Sequence, residues 1–221
     1  IERLSEISKK YNIPIIEDSA QSLGSTYKGK QTGTFFEMGC YSMYPAKVMT
    51  AGEGGFIVTN NKNFRDKLLM IRNHGMVHGY DTRMFGLNLR LPEISAAIAT
   101  VQMKKLPKFL KSRKNNAMHL SKLISDLNIV LPKERKNENV NWYLYTISTD
   151  KRDNLLKKLN AKGIGAASYY PTPVHKTPFY KLKIKLPVTN WAALQVLSLP
   201  IHPNVTQKNI EFIAKTIREI L

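Results

Sequence analysis

The sequence is poor in several things, and each shortage narrows what the chain can be. It has one cysteine, Cys40, so no disulfide forms within the chain and a reducing compartment suits it. With no second cysteine and only five scattered histidines, no zinc-type spacing exists. No apolar run approaches the length of a membrane span, and Ile1-Glu2-Arg3-Leu4-Ser5 has neither a signal nor a transit pattern. The expectation is therefore a cytoplasmic protein with no membrane role. There is no internal repeat, no low-complexity tract and no glycine-aromatic RNA motif. Gly52-Glu53-Gly54-Gly55 is not followed by Gly-Lys-Ser/Thr, which excludes a P-loop.

Acidic residues are also scarce: 16 against 34 Lys and Arg, a net charge of +18. The excess is uneven. Residues 1–100 hold 12 basic and 9 acidic side chains (+3), which leaves 22 and 7 (+15) for residues 101–221. Such a balance suits nucleic acid, an anionic membrane surface, or a phosphorylated cofactor and substrate. The basic positions from Lys104 to Lys122 alternate with apolar ones at helical spacing and read as a solvated face, so nucleic acid is not the expected partner.

What remains is a chain of 221 residues, 43% hydrophobic, enough for one large domain or two small ones. Tyr11 to Ser19 reads as a short strand whose apolar run Ile13, Ile15, Ile16 closes on Glu17-Asp18. Such runs are typical of buried parallel strands, with function at their carboxyl ends. Cys40 to Tyr44 and Gly55 to Thr59 read as two more strands, joined by the glycine-rich loop Pro45 to Gly55. Asn63 to Asn73 and Pro92 to Lys105 read as helices, the second with the stripe Ile94, Ala97, Ile98, Val101. Pro107 interrupts or kinks that pattern, and a stretch with Ala117, Leu120, Ile124 and Leu127 on one face follows. The rest reads as α+β: strand Val140 to Ser148, helix Arg152 to Asn160, strand Ile164 to Tyr170, and two last helices N-capped by Thr189 and Thr206. The boundary is drawn at residues 1–106 and 107–221.

Asp18, Gln21, Ser42 and Lys47 fall on strand ends and loops of the first hundred residues. A lysine amine that forms an imine and a carboxylate that keeps a pyridine nitrogen protonated are the two groups pyridoxal-phosphate (PLP) chemistry requires. The displaced lysine can then move a proton as a general acid/base. Asp18 and Lys47 fill those roles if their strands are neighbours, and Ser42 is placed to hydrogen-bond the cofactor phosphate. Taken singly, each has a structural alternative: a cap for Asp18, a structural hydrogen bond for Gln21, a turn for Asn88. His74 and His175 can be structural or functional, and Cys40 reads as a small buried hydrophobe.

Seven segments in order resemble the DegT/DnrJ/StrS aminotransferases, PLP enzymes that act mainly on nucleotide-linked keto-sugars. Ile13 to Gly24 resembles their "EDAAQALG" segment, Tyr41-Ser42-Met43-Tyr44-Pro45-Ala46-Lys47 their "FSFYPTK", and Gly52-Glu53-Gly54-Gly55 their "GEGG". Arg72-Asn73-His74-Gly75 resembles "RDHG", Gly86 to Leu91 "GYNYRM", Tyr169-Tyr170-Pro171 through His175 "YYPVPLH", and Leu199-Pro200-Ile201-His202-Pro203 "LPLHP". The resemblance implies an α/β fold, type I of the PLP-dependent transferases (aspartate-aminotransferase-like): a partial large domain followed by a small α+β C-terminal domain.

By the same resemblance Lys47 is the Schiff-base lysine, Asp18 pairs with the pyridine nitrogen, Gln21 lies against the ring, and Ser42 binds the phosphate. Asn88 reaches the phosphate of a neighbouring subunit's cofactor, which implies a homodimer. The substrates implied are a nucleotide-sugar and an amino donor such as glutamate. The sequence departs from the family at Phe36-Glu37, Met43 and Ala51. The family's N-terminal part, with a phosphate loop and a ring-stacking aromatic, is expected to be missing from these residues, which makes the chain alone inactive. The alternative is a catalytically silent regulatory or interaction protein that keeps the fold.

Overall fold

The computed structural model describes residues 1–221, and the chain divides into two compact units. The first comprises Ile1–Leu110 and Arg135–Asn141; the second comprises Lys111–Glu134 and Trp142–Leu221.

The first unit opens with helix α1 (Glu2–Tyr11), which Asn12 stops in the left-handed conformation at φ 50°. The expected strand from Tyr11 is therefore shorter: β1 covers Ile16–Asp18 only. Strands β2 (Thr26–Tyr27) and β3 (Lys30–Gln31) form a small hairpin. Then come β4 (Met38–Ser42), β5 (Gly55–Val58) and helix α2 (Lys62–Ile71), whose first amides are capped by the Asn61 side chain. The central sheet runs β1-β4-β5, with β1 parallel and β5 antiparallel to β4. The outer edges of β1 and β5 carry no further strand.

Helix α3 (Glu93–Leu123) runs through Pro107 without a break. Proline in a helix costs about 3 kcal/mol. Here Leu106 just before the proline and Ala117 and Leu120 after it are buried, and that packing outweighs the lost hydrogen bond. The sequence pattern of two helical stretches is thus one helix of 31 residues.

After α3 the chain makes β6 (Glu138–Asn139), which pairs with β2 in the first unit. Only Tyr145–Ser148 of the expected strand from Val140 is a strand, β7. The reason is at Asn141 and Trp142. The backbone and side chain of Asn141 bond to Ser25, Gln21 and Leu23, and Trp142 turns the chain at φ 52°.

In the second unit β7 pairs antiparallel with β8 (Val196–Leu199). Helices α4 (Arg152–Ala161), α5 (Pro187–Gln195) and α6 (Gln207–Ile220) complete it. Leu155, Leu159, Leu197, Ile210, Ile213 and Ile217 form its core, nearly all of them without solvent contact. Thr206 caps α6 in a reciprocal capping box with Asn209, as its position before the apolar stripe predicts. Thr189 does not cap α5. Pro187 opens that helix, its fixed φ suiting the first helical position, and Leu186 is the N-cap. Ile164 to Tyr170 is not a strand either, beyond one bridge from Ala167 to Ser198. Asn160 takes both the N–H and the C=O of Ala166 with its side chain, at 3.2 Å each, and so replaces a strand neighbour.

Candidate active site

The parallel pairing of β1 and β4 sets Asp18 opposite Cys40. Partners in register share a face, and Ser42, two residues beyond Cys40, lies on that face about 6.6 Å further along. Asp18, Cys40 and Ser42 therefore form one row across the carboxyl ends of two adjacent parallel strands. The electrostatics agree: burial first, then the charge of Asp18, push the Cys40 thiol above its usual range. Cys40 is half-buried beside a carboxylate rather than an inert buried hydrophobe. The opposite face of β4 is apolar, with Tyr41 stacked on Phe56 at 4.7 Å and Met43 buried.

The loop that carries Lys47 leaves β4 directly and is clasped at its base. Met43 N–H donates to the Gly54 carbonyl at 2.9 Å, while the Ala51 N–H and the Thr50 hydroxyl both donate to the Met43 carbonyl at 3.0 Å. The Lys47 N–H donates to Tyr44 O at 3.0 Å. Val48, Met49 and Ala51 are buried and pin the loop from below, and the Lys47 side chain is half-buried. The Ser42 hydroxyl accepts from the Tyr44 N–H at 3.3 Å. Gly55 is required by contact, since a Cβ there would lie 2.6 Å from the Tyr41 carbonyl.

Beside the loop is an apolar hollow of about 530 Å³ between Met43, Met49 and Phe56 on one side and Leu91 with Ala99 and Met103 of α3 on the other. None of Asp18, Ser42 or Lys47 lines it. It is a packing gap beside the site rather than the polar seat a phosphorylated cofactor requires.

Two groups hold this arrangement that the sequence reading passed over. Glu17, between Ile16 and Asp18 on β1, turns its carboxylate to the side opposite Asp18. There it accepts the amides of Gly33 at 2.6 Å, Phe35 at 2.6 Å and Phe36 at 3.0 Å. Asn141, almost wholly buried, donates to the carbonyls of Gln21 at 2.8 Å and Leu23 at 3.0 Å and so fixes the turn after Asp18. Ala20 N–H donates to Asp18 Oδ1 at 3.1 Å within the same turn. Gln21 itself is exposed, its backbone held and its side chain outward. The departures at Glu37 and Met43 are structural in this fold: Glu37 accepts the Ile15 N–H at 2.7 Å, and Met43 lines the apolar hollow.

Asn88 lies on a different segment. It bridges Asn73 antiparallel and is exposed. His74 N–H donates to Leu87 O and Leu89 N–H to Arg72 O, closing the excursion 74–87. Gly75 and Gly86 pack backbone on backbone there; a Cβ on Gly86 would meet Gly75 N at 2.0 Å. His74, at φ 56° and exposed, serves this turn through its backbone. His175, in a single 3-10 turn (Val174–Lys176), is buried with no hydrogen-bond partner on Nε2.

The donor types at the β1 and β4 ends fit PLP: a carboxylate for the ring nitrogen, a hydroxyl for the phosphate and an amine for the covalent anchor. Comparisons with known proteins agree. The profile of the DegT/DnrJ/EryC1/StrS aminotransferase family matches residues 1–218. A dTDP-3-amino-3,4,6-trideoxy-alpha-D-glucose transaminase of Streptomyces venezuelae is 32% identical over 99% of this chain and 59% of its own length. A pleiotropic regulatory protein of Geobacillus stearothermophilus is 35% identical over 99% of this chain and 61% of its own. The crystal structure of S. venezuelae DesV in complex with a ketimine intermediate superposes with a TM-score of 0.94 at 32% identity, covering 99% of this chain and 60% of that one. A family member from Brucella abortus superposes at 0.92 and 30% identity, again over 99% and 60%. The chain thus spans about three fifths of the length of the relatives it matches. It belongs to the DegT/DnrJ/EryC1/StrS aminotransferase family, PLP-dependent enzymes of fold type I.

Proposed function

We propose that this chain carries the cofactor-anchoring strands and the small domain of an aminotransferase that moves an amino group from an amino acid, glutamate by family resemblance, to a keto-sugar carried on a nucleotide. The row of Asp18 and Ser42 across the β1 and β4 ends, with Lys47 on the clasped loop that follows, is the observation that carries the reading. Relatives named as sugar transaminases support the substrate class. PLP, when bound, supplies the electron-accepting ring that makes the substrate C–H bond acidic.

The chain's own residues do the rest. Asp18 holds a proton on the ring nitrogen. The Lys47 amine anchors the cofactor and, once displaced, carries the proton between carbons as general base and acid. The Ser42 hydroxyl donates to the phosphate, and Gln21 orients the ring from the turn that Asn141 fixes. Asn88 reaches the site of a second copy. The exposed stripe Ile94, Ile98 and Val101 on α3, next to Asn88, is where a two-fold homodimer would close. A lone Cys40, with no disulfide to form within the chain, fits a cytoplasmic setting. Alone, these 221 residues leave the edges of β1 and β5 and the side chains of Ile16 and Ile57 uncovered, and they are expected not to turn over.

Borohydride reduction with PLP and peptide mapping tests the assignment, run on the chain and on a chimaera that adds to it the remaining part of a family relative. The label is expected on Lys47 and absent from Lys47→Ala. Asp18→Ala should keep the label yet lose several kcal/mol of transition-state stabilisation in the chimaera. A label on another lysine overturns the assignment. The relative named as a regulatory protein motivates a second reading, a non-catalytic regulator with the same fold. Covalent labelling of Lys47 in the chimaera, without turnover on any nucleotide keto-sugar, would favour it.

A further inference from the structure

The second unit carries a surface that the proposed transamination leaves unused. Between Asp153 and Glu211 the sequence contains no acidic residue at all, and eight lysines. Four of these, Lys176, Lys181, Lys183 and Lys185, are exposed and lie in or just after the 3-10 turn, leading into α5. The ion pairs of this unit join Lys114 to Glu134, Arg152 to Asp153, Lys215 to Glu219 and Arg218 to Asp126, and use none of the four. Their charge is uncompensated.

Apolar side chains stand in the same surface. Leu182, Ile184 and Leu186 alternate with Lys181, Lys183 and Lys185, and all three are exposed. Helix α5 then presents its large apolar residues outward. Val188, Trp191 and Leu194 recur every three residues and are 75%, 50% and 65% exposed, while the small Ala193 is its one buried residue. A helix that faces its alanine inward and its tryptophan outward is not placed by the core of its own unit. It offers an apolar stripe for something else.

We propose that the Lys181–Leu194 segment docks on an anionic lipid surface, lying in the interface without crossing it. Charge and apolarity together select this partner. Lysines next to an apolar strip are attracted to anionic headgroups while the strip enters the acyl boundary, and tryptophan favours that depth. A nucleic acid would use the charge but leave Val188 and Leu194 in water. No helix here is long and apolar enough to cross a membrane, which fits a surface contact.

Trp191 gives the test a reporter at the site, because the other tryptophan, Trp142, is buried. The full chain with Trp142→Phe is titrated with vesicles of phosphatidylcholine alone, and of phosphatidylcholine with a third phosphatidylglycerol. Circular dichroism first verifies that the variant is folded; if it is not, the unsubstituted chain is used with brominated lipid, which quenches only a tryptophan at the bilayer. The expected result is a blue shift or quenching of Trp191 with the anionic vesicles only, weakened by salt. Changing Lys181, Lys183 and Lys185 to Gln should weaken partitioning on the order of a hundredfold, about fivefold per lysine. Leu194→Glu should abolish the shift, and Leu4→Asp on exposed α1 of the first unit should leave it unchanged. Equal binding to neutral vesicles, binding that survives Leu194→Glu, or binding to a single-stranded oligonucleotide but not to anionic vesicles would each overturn the proposal.

Discussion

Glu17 is the residue whose removal says most about how the site is held. Its carboxylate accepts three amides of the segment 33–36, and the segment leads directly into β4. A hydrogen-bond donor left unsatisfied in full burial costs about 1–3 kcal/mol. The Glu17 site is only half-buried, so water recovers part of that. Three amides at roughly 2 kcal/mol, halved for solvent access, give about 3 kcal/mol for Glu17→Ala. Glu17→Gln keeps one oxygen for Phe35 and Phe36 but turns an amide N–H toward the Gly33 N–H. It should lose about 1–2 kcal/mol. Glu6→Gln, on exposed α1, is the control and should stay within about 0.5 kcal/mol. Amide hydrogen exchange followed by NMR reads the three N–H groups directly, with the urea midpoint as a second measure. Glu17→Ala should speed exchange at Gly33, Phe35 and Phe36 on the order of a hundredfold. Wild-type exchange rates at those amides would refute the claim that Glu17 anchors the segment.

Three further outcomes follow from the second unit. Thr206→Ala removes the capping box of α6 and should cost about 1 kcal/mol in urea denaturation, with Thr206→Ser restoring most of it. Leu159→Ala, at a position with no solvent contact, should cost about 2–5 kcal/mol by lost burial and a residual cavity. His202 keeps much of its surface exposed, and partial burial, then the charge of Arg113, hold it below its ordinary value of 6.5. The unfolded chain thus binds this proton more readily than the folded one, and the associated stability is fully present above 6.5 and lost as pH falls through the lower folded value. His202→Gln should flatten the decline of stability as pH falls through and below 6.5, and an unchanged slope would count against the assignment.

The sequence was legible where local chemistry and packing agree. β5, α2, α4 and α6 lie close to where their local patterns put them, and β4 begins and ends two residues earlier than expected; α4 and α6 bury apolar residues, whereas the stripe of α2 is only half-buried. The misreadings have particular causes. Helix α1 carries Leu4 and Ile7 at helical spacing, but both are exposed and no core marks the face. Pro107 reads as a break because propensity is local, whereas the burial of Leu106, Ala117 and Leu120 spans the proline. At Ile164 to Tyr170 the β-branched and aromatic residues promise a strand, yet Asn160 has already claimed the backbone groups a neighbour would use.

Asp18, Ser42 and Lys47 could be picked out because each ends or follows a strand, but their shared face could not. It depends on the register of Asp18 with Cys40, and a shift of one residue would turn Ser42 to the side of Tyr41 and Met43. That register is fixed from the far side. Gly39, opposite Glu17, is so close to the 33–36 segment that a Cβ would lie 2.0 Å from Gly33 O. Only one register lets Glu17 receive the amides of that segment while glycine meets glycine across the strand. Asp18 and Ser42 thus share one face because Glu17 and Gly39 take the other. Gly39→Ala should therefore disturb the site without touching it. The Cβ would force β4 from the 33–36 segment, and borohydride labelling of Lys47 should fall along with amide protection at Phe35. Loss of labelling with that protection intact would show that the lysine loop, not the strand register, sets the geometry.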